Sequence, residues 1–580
     1  MSPVWVRWLC LCTCPLCITS LAKASIALKA SVDVWPLPSS VSSGTESSSI
    51  SAALQFQGDV QNSLVQAAID NYRPLIFPHK LDCPCEGEIK GARLVVNGDV
   101  GEGYKLYVNA SGVHIEADSP AGVQYALESL SQLVFFDFDK LLYVTQSVLP
   151  LIIEDRPRFP HRGLLIDSSR HFLPVETIKH LINSMSYTKL NVLHWHITDS
   201  ESFPIMSRVA PELAKKGAHS GRERYTRADV ADIVDHARKR SIVVIPEFDM
   251  PGHADSWAKS HPELFAAVSE SAFRGVHGAL NPSKEEVFAM VENLLVDWLK
   301  GNSSAPAFFD GDIVHLGGDE VPTKAWATPA IQEFMRKSGI HNMKDLFASF
   351  LSRNVDIAKK LGKRVILWDE AFEESTRGKL PTSVTFQIWR DWGRLRLGRD
   401  AVLAGYKIIA SPNSRWYLDH LDTSWQDMYA TDPVKYLHVP KEHASNVIGG
   451  EGCMWGETVD PGDLEATVWP RLAAIAERLW SPETATSADA ALPRLEAFRC
   501  LLLERGIDAA RVGAHLGDKD RRYAPQAPGS CNGDAAVSFL QIASKRSTGF
   551  WQHIERSLST VISGSGGVES APVKCSCAKL

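Results

Sequence analysis

The sequence predicts an α/β protein: a (β/α)8 barrel preceded by a small α+β domain. Two observations predict the barrel. Eight β-branched runs alternate with helix-length stretches after residue 156, and acids, histidines and tryptophans gather just beyond the C-terminal ends of those runs. Serial βα units favour a parallel sheet with helices outside, and barrel enzymes of the TIM type place their sites at the C-terminal face. An open doubly wound sheet is the alternative, and eight units favour closure. A third observation, alternating short strands and one helical stretch before residue 155, predicts the smaller domain.

Arg7 is the only early positive charge, residues 8–21 are mostly apolar, and Ala22-Lys-Ala24 offers small residues for cleavage. Residues 1–24 are therefore expected to be a signal peptide, with an uncleaved anchor as the alternative. The run is shorter than the roughly 20 apolar residues that span a bilayer, and no stable membrane span is expected elsewhere. Four of the eleven cysteines lie in this segment. Seven remain: Cys83, Cys85, Cys453, Cys500, Cys531, Cys575 and Cys577. An odd number leaves at least one thiol free or paired between molecules. Cys500 and Cys531 are the best disulfide candidates, and the pairing of the others stays open. The sequons Asn109-Ala-Ser111 and Asn302-Ser-Ser304 fit glycosylation on the secretory route. That route ends outside the cell or in the cell wall, vacuole or lysosome. Net charge is −7 and evenly spread, which excludes a basic nucleic-acid footprint.

The predicted organisation has an α+β domain over 25–155, a barrel with C-terminal helices over 156–531, and a mobile tail over 532–580. Residues 25–55 read as an extended, serine-rich lead-in. Runs 105–109 and 113–117 alternate like paired strands, with a turn at Ser111-Gly112, and 121–133 has helical spacing. The barrel strands are expected at 162–166, 192–197, 242–248, 313–316, 364–367, 384–388, 407–410 and 447–450. Stretches 175–188, 287–298 and 344–360 are long enough for connecting helices, and 464–479 and 491–505 read as helices after the barrel.

The chemistry is expected where these strands end. They lead into Asp167-Ser-Ser-Arg170, Asp199, Glu247-Phe-Asp249 with Pro251-Gly-His253, Asp319-Glu320, Trp368-Asp-Glu370, Trp389, Trp416-Tyr417 with Asp419, and Trp455-Gly-Glu457. Adjacent carboxylates resist ionising together, so one of Asp319 and Glu320 is expected to have a raised pKa, as cleavage of a glycosidic bond requires of its acid. Trp368, Trp389, Trp416, Trp455 and Tyr417 are expected to form a pocket wall, because flat aromatic faces suit the apolar faces of sugars. His194-Trp-His196 puts two imidazoles on one strand face, which leaves a metal-dependent barrel hydrolase as a rival. A sugar-binding protein without turnover is the other rival.

Five ordered motifs then carry a resemblance: His161-Arg-Gly-Leu-Leu-Ile-Asp-Ser-Ser-Arg-His171, Leu193-His-Trp-His-Ile-Thr-Asp199, Pro246-Glu-Phe-Asp-Met-Pro-Gly-His253, His315-Leu-Gly-Gly-Asp-Glu320 and Trp469-Pro-Arg-Leu472. From about Trp35 to Cys531 the chain resembles the β-N-acetylhexosaminidases of glycoside hydrolase family 20. The resemblance implies an exo-acting glycosidase on N-acetylhexosamine-terminated glycans, a retaining substrate-assisted mechanism, no cofactor or metal, and a possible homodimer. It implies that Glu320 is the acid–base and that Asp319 orients the substrate's 2-acetamido group. Asp199 and His253 would support Glu320, and Arg170 would hold the outer-ring hydroxyls. Trp368, Trp389 and Trp455 would box the sugar, Tyr417 would donate to the acetamido oxygen, and Asp419 and Glu457 would bind outer hydroxyls. It also implies activity at acid pH. The barrel-loop disulfides of mammalian-type members have no counterpart here, since only Cys453 lies between Cys85 and Cys500. His420, beside Asp419, leaves substrate preference open.

Overall fold

The computed structural model describes residues 32–79, 87–146, 148–266, 278–302, 305–374, 379–393 and 396–512. The expected signal peptide, the tail, and Cys83, Cys85, Cys531, Cys575 and Cys577 lie outside these residues.

The first layer is an eight-stranded sheet: β1 (Ser40–Glu46), β2 (Ser49–Gly58), β3 (Ile89–Val96), β4 (Tyr104–Asn109), β5 (Gly112–Ala117), β6 (Val134–Asp137), β7 (Leu142–Thr145) and β8 (Leu149–Asp155). Its spatial order is β1-β8-β4-β5-β3-β2-β7-β6. The lead-in expected over 25–55 is corrected here, because β1 and β2 are paired strands of this sheet. Serine disguises them, and β1 lies at an edge, where one side needs no apolar partner. β4 and β5 form the expected hairpin, in register from Tyr104↔Ala117 to Asn109↔Gly112. Two helices, Ser63–Ile76 and Pro120–Ser131, pack on the sheet, capped by the side chains of Asn62 and Ser119.

Next come β9 (His161–Asp167), β10 (Val192–Thr198) and β11 (Val243–Phe248), then a short ribbon of β12 (Gly301–Asn302) and β13 (Ala305–Pro306). β14 (Ile313–His315), β15 (Arg364–Trp368), β16 (Thr385–Ile388), β17 (Lys407–Ala410) and β18 (Val447–Met454) follow. Strands β9, β10, β11 and β14 to β18 close into a parallel barrel in that order. Each predicted strand is present, and β18 runs four residues further than expected. Along the parallel strands alternate side chains point inward. The interior therefore fills in layers. Val192, Ile245, Ile366 and Ile409 form an apolar cluster at the strand starts. His194, Glu247, His315 and Glu451 are fully buried above it. Leu165, Trp368, Tyr417, Cys453 and Trp455 cluster toward the C-terminal mouth.

Helices Val175–Tyr187, Glu285–Leu295 and Met343–Lys360 lie where helical spacing placed them. The single helix expected over 464–479 is two, Leu464–Val468 and Arg471–Trp480, because Pro470 lacks the N–H that a continuous helix needs. The second expected helix is Ala488–Glu504.

Sheet and barrel meet over a buried polar joint. Lys189 Nζ lies 3.0 Å from Asp155 Oδ2, 2.9 Å from Tyr104 Oη and 3.0 Å from Ser129 Oγ, and both charged side chains are fully buried. The Trp480 indole N–H also donates to Asp155, at 2.9 Å. Removing one partner of such a pair strands the other charge, at a cost of about 3–5 kcal/mol. Lys189→Met is therefore expected to lower unfolding free energy by about that amount in denaturant titration. A loss below about 1 kcal/mol would show that this ion pair does not hold the joint together.

Candidate active site

Beyond β14 the backbone turns through Gly317 (φ +66) and Gly318 (φ +96). A Cβ on Gly317 would sit 1.7 Å from Asp249 Oδ1, so only glycine admits Asp249 here. Gly318 N–H donates to the same oxygen at 2.9 Å. Asp319 then lies nearly buried, while 60% of the Glu320 side chain is exposed, on a left-handed backbone of φ +45. Asp319 Oδ1 is buried without a hydrogen-bond partner among the described residues. It is an acceptor held ready for an external donor.

His253, after β11, stands between the two carboxylates. Its Nε2 is 3.7 Å from Asp319 Oδ2 and 3.6 Å from Glu320 Oε2, and its Nδ1 is 3.0 Å from Asp199 Oδ2. The interaction with His253 draws the Glu320 pKa below its ordinary value. Glu320 is therefore not the member of the pair that adjacency raises. The two side chains diverge, one inward and one to solvent, so sequence neighbours are not the electrostatic neighbours. Among the carboxyls at the strand ends, Asp249 is pushed well up by burial and then by Asp319, Glu370 is pushed well up by burial and then by Asp369, and burial also raises Asp369.

Arg170, after β9, is 89% buried in side chain and sits among acids: Asp167 at 2.9 Å, Asp199 at 2.8 Å, Glu201 at 3.1 Å and Glu457 at 3.5 Å. Its guanidinium lies over the Trp455 ring, 5.3 Å from the centroid. Tyr417 faces Trp389 in a stacked pair at 6.3 Å and Trp455 at 6.1 Å, and Trp368 lies 6.0 Å from Trp455. Indole N–H groups of Trp368 and Trp389 are committed to Glu247 (2.7 Å) and Glu370 (3.0 Å), which fixes the ring planes. Trp455 Nε1 and Asp419 Oδ1 are buried without hydrogen-bond partners among the described residues. Burial raises Asp419 to about 6. Glu457 keeps 54% of its side chain exposed.

Trp416 is not part of this wall, contrary to expectation. It is fully buried, its indole donates to Met428 O at 3.1 Å, and its ring packs against Gly450 outside the barrel. Tyr417 takes the inward place.

Sequence reasoning gave no role to Glu247 or Glu451 and used His194 and His196 only for the metal alternative. His196 Nδ1 is 2.7 Å from Glu247 Oε2 and its Nε2 is 3.1 Å from Asp199 Oδ2. Two carboxylate acceptors require two donors, so this ring is an imidazolium with no lone pair for a metal. His194 Nδ1 contacts Glu451 at 2.9 Å, and its Nε2 is 3.0 Å from Glu247. His196 is thus occupied by carboxylates on both nitrogens, while His194 Nε2 has no hydrogen-bond partner among the described residues. The period-2 alternation of 192, 194 and 196, and of 245, 247 and 249, was the signal that placed these groups inside together.

Cys453 is a free, buried thiol. Cys500 is disulfide-bonded, and its expected partner Cys531 lies outside the described residues. Asn109 is exposed at the β4–β5 turn. Asn302 lies in β12, and its side chain is outside the described ones.

The family model for "Glycosyl hydrolase family 20, catalytic domain" matches residues 159–483, and that for "Glycosyl hydrolase family 20, domain 2" matches residues 31–140. Beta-hexosaminidase 1 of Arabidopsis thaliana is 38% identical over 86% of this chain and 94% of its own. Beta-hexosaminidase subunit beta of Felis catus is 36% identical over 82% of this chain and 92% of its own. Among solved structures, the chitobiase of Flavobacterium johnsoniae superposes with a TM-score of 0.72 at 28% identity, covering 83% of this chain and 74% of that one.

Proposed function

The chain belongs to glycosyl hydrolase family 20 and is a glycosidase of the β-N-acetylhexosaminidase type, and from that premise we propose its substrate and its mechanism. The enzyme removes terminal, non-reducing β-linked N-acetylglucosamine and N-acetylgalactosamine from oligosaccharides and glycoconjugates. It does so with retention, using the substrate's own amide as nucleophile.

The carrying observation is Asp319: a nearly buried carboxylate with an unpartnered oxygen, beside the tryptophan and tyrosine wall and next to solvent-facing Glu320. Glu320 protonates the glycosidic oxygen as the C1–O bond breaks. The acetamido carbonyl oxygen bonds to C1, giving an oxazolinium, in place of the enzymic nucleophile of most retaining glycosidases. Asp319 accepts the amide N–H and balances the positive charge that develops there. Glu320, now ionised, takes a proton from water as that water opens the ring at C1. Trp368, Trp389 and Trp455 enclose the acetamido methyl and sugar ring, and Tyr417 donates to the carbonyl. Arg170, Asp419 and Glu457 hold the outer hydroxyls.

The test is nitrophenol release from the β-N-acetylglucosaminide, the β-N-acetylgalactosaminide and the unacetylated β-glucosaminide. The acetylated pair is expected to be cleaved and the amine to be inert, because the amine lacks the nucleophile. Rapid cleavage of the amine would point to an enzymic nucleophile, and no cleavage of any would favour the sugar-binding reading.

A sugar seated on Glu320 removes water from it and so raises its pKa against the pull of His253. The sign for the free enzyme follows from His253. His253→Asn removes the cation that lowers Glu320, so Glu320 stays protonated to higher pH. The basic limb of kcat/KM should move up by about one unit. A limb that stays in place would show that His253 does not set this proton.

The same reading places the protein on the secretory route, outside the cell or in the vacuole or lysosome, and admits a homodimer. Asn109 at an exposed turn supports it. Among the described residues no helix is long and apolar enough to cross a membrane.

A further inference from the structure

A line of alternating acids and imidazoles crosses the barrel interior. His161 Nε2 contacts Glu451 at 2.5 Å, Glu451 meets His194 at 2.9 Å, and His194 meets Glu247 at 3.0 Å. Glu247 meets His196 at 2.7 Å, His196 meets Asp199 at 3.1 Å, and Asp199 meets His253 at 3.0 Å. A Cβ on Gly163 would sit 2.5 Å from the Glu451 side chain, so β9 carries glycine where the line passes. Glu247 is the branch point. Its Oε2 takes His196, and its Oε1 takes the Trp368 indole N–H at 2.7 Å. Relying on the proposed reaction, we infer that Glu247 and His196 are positioning residues: the pair holds Asp199, and through it His253, against Glu320, while the same carboxylate sets the Trp368 face of the sugar pocket.

The groups facing this pair are few. On β10 they are His194 and His196. On β14 there is His315, whose Nδ1 lies 3.0 Å from Gly317 N and 3.1 Å from Glu247 Oε1. Glu451 on β18 lies behind His194, and Asp249 follows on β11 itself. His253 faces Asp199, Asp319 and Glu320, and Arg170 faces Asp199. Burial alone would lower His196, yet Glu247 and then Asp199 keep its pKa well above the ordinary value.

Glu247→Gln tests this. The amide NH2 must take the place of one oxygen: Oε1 faces the Trp368 indole N–H at 2.7 Å and His315 Nδ1 at 3.1 Å, and Oε2 faces His196 Nδ1 at 2.7 Å and His194 Nε2 at 3.0 Å. The indole cannot give up its proton and the imidazolium can, so the oxygen stays on Trp368 and His196 becomes neutral. Glu320 is nearer along the line to the lost cation than to the lost anion. The basic limb of kcat/KM on the nitrophenyl N-acetylglucosaminide is then expected to rise by half a unit or more, with KM within about threefold. His196→Gln removes the same cation and should move the limb the same way. The double variant should move it no further than either alone, since the two act as a unit. Trp368→Phe cuts the other branch and should raise KM without moving the limb. An even loss of kcat/KM across pH in both Glu247→Gln and His196→Gln would overturn the inference and leave a structural role. Should Glu247→Gln fail to fold, His196→Gln and Trp368→Phe decide it. Inert wild-type enzyme would fail the proposed reaction instead, which separates the two.

Discussion

Glu320→Gln is expected to lose about 10²–10⁴-fold in kcat on nitrophenyl N-acetylglucosaminide, with KM changed only a few-fold. Glutamine keeps the volume and the left-handed backbone position but cannot deliver a proton. The side chain is 60% exposed in the free protein, so its replacement disturbs little packing, and the fold should survive. The loss should shrink with dinitrophenyl as the leaving group, because a good leaving group needs no proton to depart. If the two leaving groups suffered equally, Glu320 would not be the acid. A loss of less than tenfold on the poorer one would remove it from the chemistry altogether.

Asp319→Ala is the second large effect, expected at about 10²–10³-fold in kcat. Here the reason is geometric. Asp319 Oδ1 has no hydrogen-bond partner among the described residues, and Asp319, Asp249 and His253 each bring one ligating atom within 4.8 Å of the others. The carboxylate is therefore preorganised toward the amide before substrate arrives, at no reorganisation cost during the reaction. Alanine removes both the amide's acceptor and the charge that balances the oxazolinium. The effect should fall on the acetamido group: N-trifluoroacetyl substrates, whose carbonyl is a poor nucleophile, should show a smaller difference between wild type and variant. Equal ratios for the two acyl groups would argue that Asp319 serves the fold rather than the amide.

The barrel was readable before any coordinates, because a parallel strand buried on both faces is a short apolar run with little ambiguity. Asp199, His253, Asp319, Trp368, Trp389, Tyr417 and Trp455 were legible as candidates because they follow such runs. The errors share a cause. Trp416 and Tyr417 are neighbours, and nothing in two adjacent aromatic letters says which one enters the barrel. β1 and β2 were missed because edge and half-exposed strands tolerate serine, and the break at Pro470 was passed over because apolar spacing continued through it.

The sequence by itself determined the barrel and which segments reach its mouth, through the period-2 alternation of strands and the order of eight βα units. Only the tertiary structure decided how those residues share charge. Asp249 and Glu370 carry raised pKa values and Glu320 does not, and Glu247 joins Trp368 to His196 across three strands. A pKa depends on burial and on charges within a few ångströms; Glu370 takes its charge from adjacent Asp369, but Glu247 meets His196 across 51 residues and Trp368 across 121, brought together only when the sheet closes.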